Sequence, residues 1–199
     1  MEDTYKTIEK PSEGLFKDKG SKFISFAFTV NSEDEIREIV QSIKKEHHSA
    51  RHHCYAWRLG AEKLLFRAND DGEPSSTAGK PILGQIQSFD LTNILIVVVR
   101  YFGGTLLGVS GLINAYRNAA LDAIIRAEIV EKLVEKWLLV EFDYGAMNEV
   151  MKIFKDEKLP QEDPQFDLRC SIKTHIRLSE LDRIEQAFSK IEGITVTAG

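Results

Sequence analysis

Only two cysteines, five prolines and two tryptophans occur in these 199 residues. Cys54 and Cys170 stand far apart and outside any Cys-x-x-Cys spacing, which argues against a disulfide scaffold and against a structural zinc site. Long apolar runs are missing as well. The longest, residues 94–99, has the length of a strand, whereas a membrane-spanning helix needs about 20 apolar residues. The opening MEDTYKTIEK lacks the apolar core of a secretory signal, so a cytoplasmic protein with reduced thiols is expected. Positive charge is not in excess either. Lys and Arg number 26 against 31 Asp and Glu, a net charge of −5. Residues 1–130 hold 16 against 17, and the remainder 10 against 14. Bulk coating of nucleic acid is thereby excluded, and any such contact needs a local basic patch on the first part.

What is present fits an ordinary soluble domain pair. Hydrophobic residues make up 43% and charged residues 29%, and the length suits one large or two small domains. Residues 4–8 alternate, residues 17–20 mark a turn, and residues 23–30 read as a strand. Ser32 and Glu35 form a capping box before Ile36, Ile39, Val40 and Ile43, so a helix should run to about His47. Residues 53–59 and 64–68 are expected to pair around Gly60, followed by a polar loop at 69–79. Pro81 suits the first turn of a helix reaching Phe89. The apolar run 94–99 implies a strand buried on both faces, and an alanine-rich helix is expected from Gly111 to Ala127. Residues 128–135 read as a helix end and short connection. Beyond them the order strand, helix, strand, strand, helix, strand fills about 65 residues, the split βαβ arrangement of ferredoxin-like domains. The expected domains are therefore 1–130 and 131–199.

Three constellations invite chemistry. The first is Asp70-Asp-Gly-Glu-Pro-Ser-Ser-Thr-Ala-Gly-Lys-Pro81, where Asp70, Asp71 and Glu73 could hold a hard cation, although the EF-hand spacing is missing. A solvated turn with Asp, Ser and Thr bonded to local backbone fits equally. Ser75, Ser76 and Thr77 lack the Gly-x-Ser-x-Gly setting of an activated serine. The second is residues 47–54, with four of the five histidines and Cys54. Period-2 geometry places His52 and Cys54 on one face of a strand and His53 on the other, which divides any metal set. With Lys44, Lys45 and Arg51 it forms the best local basic patch. The third is Arg100-Tyr-Phe-Gly-Gly-Thr-Leu-Leu-Gly-Val-Ser-Gly111. Gly103, Gly104, Gly108 and Gly111 sit between the buried strand and the following helix, where open backbone N–H groups suit an anion. P-loop and dinucleotide spacings are absent. Arg100 at the strand end could assist binding or pair with Asp70 or Asp71.

Taken in order, residues 19–24, 52–57, 70–82 and 100–116 resemble the Impact/YigZ family, and the tail after residue 131 is similar to the extra domain of its bacterial members. The resemblance implies an α+β fold in two domains. The first would be an Impact-type domain, related to ribosomal proteins and elongation factor G, with helices on a mixed sheet; the second would be a ferredoxin-like βαββαβ domain. It implies a role linked to translation, since the eukaryotic relatives act in translational control. It supplies no catalytic residues. Ser76 and Ser110 replace glycines common in the family, and Leu106 and Asn114 replace basic residues, which weakens plain phosphate binding at the turn.

The expected function is a translation-linked regulatory or binding protein without catalysis. It would engage RNA, the ribosome or a translation-associated protein through His52, Asp70, Asp71, Glu73, Ser75, Thr77, Lys80, Arg100, Tyr101, Gly103, Gly104, Gly108 and Gly111. No metal, cofactor, nucleotide cofactor or membrane is expected. Two other readings remain open at this point: a protein–protein regulator docking through the acidic loop, and a metal-assisted hydrolase using Asp70, Asp71, Glu73 and His52.

Overall fold

A computed structural model describes residues 3–199 and divides into two compact units, Tyr5–Lys132 and Leu133–Gly199, the second including residues 3 and 4. In the first unit, β2 (Ser12–Asp18), β3 (Ser21–Thr29), β4 (His52–Leu59), β5 (Leu65–Asn69) and β6 (Ile94–Tyr101) form one sheet in the order β2-β3-β6-β4-β5. All four neighbouring pairs in this sheet are antiparallel, while a parallel bridge joins Lys6 to Leu91. A further pair links β1 (Thr4–Ile8) with β7 (Ile129–Leu133).

The central strand β6 is buried from Ile94 through Val99, as its unbroken apolar character requires. Its alternate side chains feed two cores. Ile94, Ile96 and Val98 join Cys54 and Ala56 beneath α2 (Gly79–Ser88) and α3 (Gly108–Arg126). Leu95, Val97 and Val99 join Trp57 and Leu59 beneath α1 (Glu33–Glu46). The α1 start has the expected reciprocal cap: Ser32 Oγ accepts from the Glu35 N–H, and Glu35 accepts from the Asn31 N–H. Small residues let α3 lie close on β2 and β3, where Ser12 and Ser25 donate to the carbonyls of Ala123 and Ala119.

Two expectations need correction, and one strand went unread. The helix α3 starts at Gly108, one turn before Gly111. Residues 129–133, read as a connection, form strand β7; its residues alternate between exposed and half-buried, so no strong apolar face announces it. Strand β2 gives little sequence signal because the inward residue nearest α3 is Gly14, where a methyl would sit 2.4 Å from the Ala123 nitrogen.

The second unit runs β8 (Glu135–Asp143), α4 (Met147–Asp156), β9 (Glu162–Phe166), β10 (Arg169–Arg177), α5 (Leu181–Phe188) and β11 (Ile194–Ala198). The sheet order β11-β8-β10-β9, antiparallel throughout, is that of a ferredoxin-like βαββαβ domain. Leu138, Val140, Phe142, Ile172 and Ile176 of the sheet bury against Val150, Phe154, Ile184 and Phe188 of the helices. The chain is thus α+β in two units. Among the described residues, no helix is long and apolar enough to cross a membrane.

Candidate functional site

The site lies where β4 begins and β6 ends. These strands are antiparallel neighbours, and their register places His52 directly across from Arg100. The loop after β5 passes over this end of the sheet, and its first carboxylate organises it. Asp70 accepts N–H groups from Ser76 at 2.8 Å, Ala78 at 3.1 Å and Gly79 at 2.8 Å. Helix α2 has Ala78 at its N-cap, with no capping side chain of its own, so Asp70 performs that task from eight residues upstream.

Asp71, at φ 40°, turns the chain and binds across to two elements. Its Oδ1 accepts from Lys44 Nζ at 2.8 Å and its Oδ2 from the His53 N–H at 2.7 Å. Partial burial pushes its carboxyl up, but the Lys44 and His53 hydrogen bonds overcome this and hold it below the usual range. The Asp71 carbonyl accepts from His52 Nδ1 at 2.9 Å, which leaves Nε2 as the acceptor of the neutral ring.

Glu73 is the buried member of the loop. Its Oε1 receives Arg100 Nη1 and the Tyr116 hydroxyl, both at 2.7 Å, and the ion-pair side chains are 3% and 8% exposed. Arg100 therefore pairs with Glu73, and not with Asp70 or Asp71, the partners that the sequence offered as one of two alternatives. The reason is reach: Asp70 is already tied to the helix and Asp71 to α1 and β4. The Arg100 guanidinium lies 5.6 Å from the ring centres of both Phe23 and Phe102, and its Nε has no partner. Beside this knot, Cys54 donates from Sγ to the Asp70 carbonyl at 2.9 Å. Burial pushes both the Cys54 thiol and the Tyr116 hydroxyl up, so both stay protonated and neither serves as a nucleophile.

The glycine turn has a different character. A methyl on Gly103 would meet the Gly20 carbonyl carbon at 1.9 Å, because the turn presses on the hairpin between β2 and β3. One residue on, Gly104 takes φ +88° and has nothing within 4 Å of a built methyl position. Helix α3 then opens at Gly108 (φ +72°) with Leu107 as N-cap and no capping side chain, and residues 108–110 are exposed. Phe102, Leu106 and Val109 are exposed at 57%, 82% and 59%.

Residues 49–52 on one side and 100–102 with Leu106 on the other bound a cleft of about 630 Å³. The structure thus brings together His52, Asp71, Glu73, Arg100 and Tyr101, with Asp70 supporting them from behind and Gly103, Gly104, Gly108 and Gly111 following in the turn and first helical turn. Tyr101 also bonds His47 Nδ1 through its hydroxyl at 2.8 Å. Ser75 and Lys80 are exposed and do not line the cleft, and Thr77 donates to the Pro74 carbonyl at 2.6 Å within its own turn. Sequence reasoning missed Tyr116 and Phe102, and named Arg51 in a basic patch without counting it among the site residues. Tyr116 had a signal: a hydroxyl on the alanine-lined face of α3 must find a buried partner. Phe102 had one too, as an aromatic side chain beside two glycines, beyond the end of the apolar run.

The profile of the Impact N-terminal domain matches residues 19–124. An Impact family member of Haemophilus influenzae is 36% identical over 173 residues, covering 86% of this chain and 82% of the relative. The Impact family member YvyE of Bacillus subtilis is 29% identical over 188 residues, covering 94% of this chain and 87% of its own length. A crystal structure of a hypothetical protein shares the fold, with a TM-score of 0.76 and 24% identity over 98% of this chain and 97% of that one. The chain belongs to the Impact family.

Proposed function

We propose that this member of the Impact family is a translation-linked regulatory binding protein that acts without catalysis. It engages RNA, the ribosome or a translation factor through the surface built from loop 70–81 and turn 100–111. One observation carries the reading. The buried contact of Glu73 with Arg100 and Tyr116 ties the loop to the end of β6 and to α3, so the surface is held ready before any partner arrives. Membership of the family supports the link to translation.

The charge arrangement supports a partner that is anionic or has an anionic part. Asp70, Asp71 and Glu73 already hold backbone N–H groups, Lys44, Arg100 and Tyr116. An acidic loop docking on a basic protein would need those charges free, and a metal-assisted hydrolase would need them converging on one ion. Arg51, by contrast, is exposed and has no acidic partner among the described residues.

Sedimentation with purified ribosomes through a sucrose gradient tests the proposal. At low salt the protein should travel with ribosomal particles, and raising the salt should release it. Protein left at the top of the gradient at low salt would sink the ribosomal reading.

A further inference from the structure

We infer that the cleft beside Arg100 holds one nucleotide of an unpaired RNA strand, with its base against Phe102 and its phosphate against Arg51. This rests on the reading of that face as a docking surface, and names what occupies it.

Four observations lead there. Arg100 lines the cleft although it is 7% exposed; Glu73 engages it through Nη1 alone, and its Nε is left without a partner. Arg51, across the cleft from Arg100, is exposed and has no acidic partner among the described residues, so positive charge faces the cleft while the neighbouring carboxylates are occupied. Phe102 is more than half exposed on the Arg100 side of the cleft, with Leu106 beside it. An inorganic anion would leave both uncovered, whereas a base stacked on an aromatic ring covers them. Finally, His52 has Nδ1 committed to the Asp71 carbonyl, which leaves Nε2 as an acceptor for a ribose hydroxyl.

The alternatives fit less well. Strands β4 and β6 are interior neighbours in the sheet, so a peptide cannot add a strand at this place. A cleft of about 630 Å³ accommodates a single extruded unit, not a duplex face. The net charge of −5 also opposes the broad phosphate contact that a duplex demands.

The test is fluorescence anisotropy of the full chain with labelled oligouridylate of ten residues, at 50 mM and 200 mM salt. Binding should weaken with salt, and the deoxy strand of the same sequence should bind several-fold less tightly. Phe102→Ala should lower affinity about tenfold, the usual scale of one lost base stack. Arg51→Ala should reduce the salt slope by about 0.7, the value for one single-strand phosphate. Lys155→Glu, on α4 of the other unit, should change neither. Phe102 and Arg51 are exposed, so urea midpoints equal to wild type will verify that both variants fold. Absence of binding at 50 mM salt overturns the inference, as do equal affinities for Phe102→Ala and wild type, or for the ribose and deoxyribose strands. Ribosome association that survives without oligouridylate binding would give the cleft to a protein partner, removing this inference while the proposed function stands. Oligouridylate binding at the cleft without ribosome association would keep this inference and remove only the ribosome from the proposed function.

Discussion

Loop 70–81 and turn 100–111 meet at one end of the same sheet, yet they satisfy their polar groups in opposite ways. In the loop, the three carboxylates turn inward. Asp70 collects three backbone N–H groups, Asp71 joins Lys44 to β4, and Glu73 lies buried against Arg100 and Tyr116. In the turn, Gly104 opens onto free space, α3 starts without a capping side chain, and Phe102 and Leu106 face solvent. The carboxylates that catch the eye in the sequence are thus engaged within the fold, and the less conspicuous turn is the segment whose groups are left open. A carboxylate beside a helix start or a guanidinium is drawn into charge-assisted hydrogen bonds, because leaving either group buried and unpaired costs several kcal/mol. Backbone N–H groups at an exposed helix start carry no such penalty, since water serves them.

If the loop is the structural half, its variants should unfold the domain and those of the turn should not. Glu73→Ala leaves the Arg100 guanidinium buried without its counter-ion, and should cost about 3–5 kcal/mol in urea unfolding. A loss below about 1 kcal/mol would break the contrast between the two segments. Asp70→Ala should come next, at about 2–3 kcal/mol, since it removes a helix cap and the bond that orders Ser76. Asp70→Asn should lose less, because an amide oxygen still accepts.

Asp71 sharpens the comparison through pH. Its carboxyl lies below the ordinary value of 3.8 in the folded chain, so it adds stability that is fully present above 3.8. That stability is lost as pH falls through the lowered folded value. Unfolding of wild type and Asp71→Asn across pH 2–7 should therefore show a gap that is constant above about pH 5 and closes in the acid range. A gap that widened on acidification would contradict the assigned bonds to Lys44 and His53. The smallest effect is expected on the turn: Phe102→Ala and Leu106→Ala should each stay within about 0.5 kcal/mol of wild type, because both side chains are largely exposed.

The legibility of these two segments differed for physical reasons. Local rules reached the α1 cap, the inward face of α2, the buried run of β6 and the order of elements in the second unit, because each rests on residues within a few positions of one another. They also placed His52 and Cys54 on one face of β4, as the structure has them. They did not reach β7, whose partner strand is at the other end of the first unit, nor β2, whose inward contact is a glycine. The pairing of Arg100 lay beyond them as well, since three carboxylates stood within four residues and only the path of the loop decides which one arrives.

The sequence by itself determined the two-domain α+β class and the family. Periodicity, capping and turn chemistry are short-range, and the family blocks are continuous in the chain. Tertiary structure alone decided which of those polar groups are engaged and which are open. Hydrogen-bond satisfaction at this sheet end depends on four segments far apart in sequence: Lys44, the start of β4, the loop and Tyr116 on α3. Burial then turns Glu73 into an anchor and leaves the Phe102 and Arg51 walls facing the cleft.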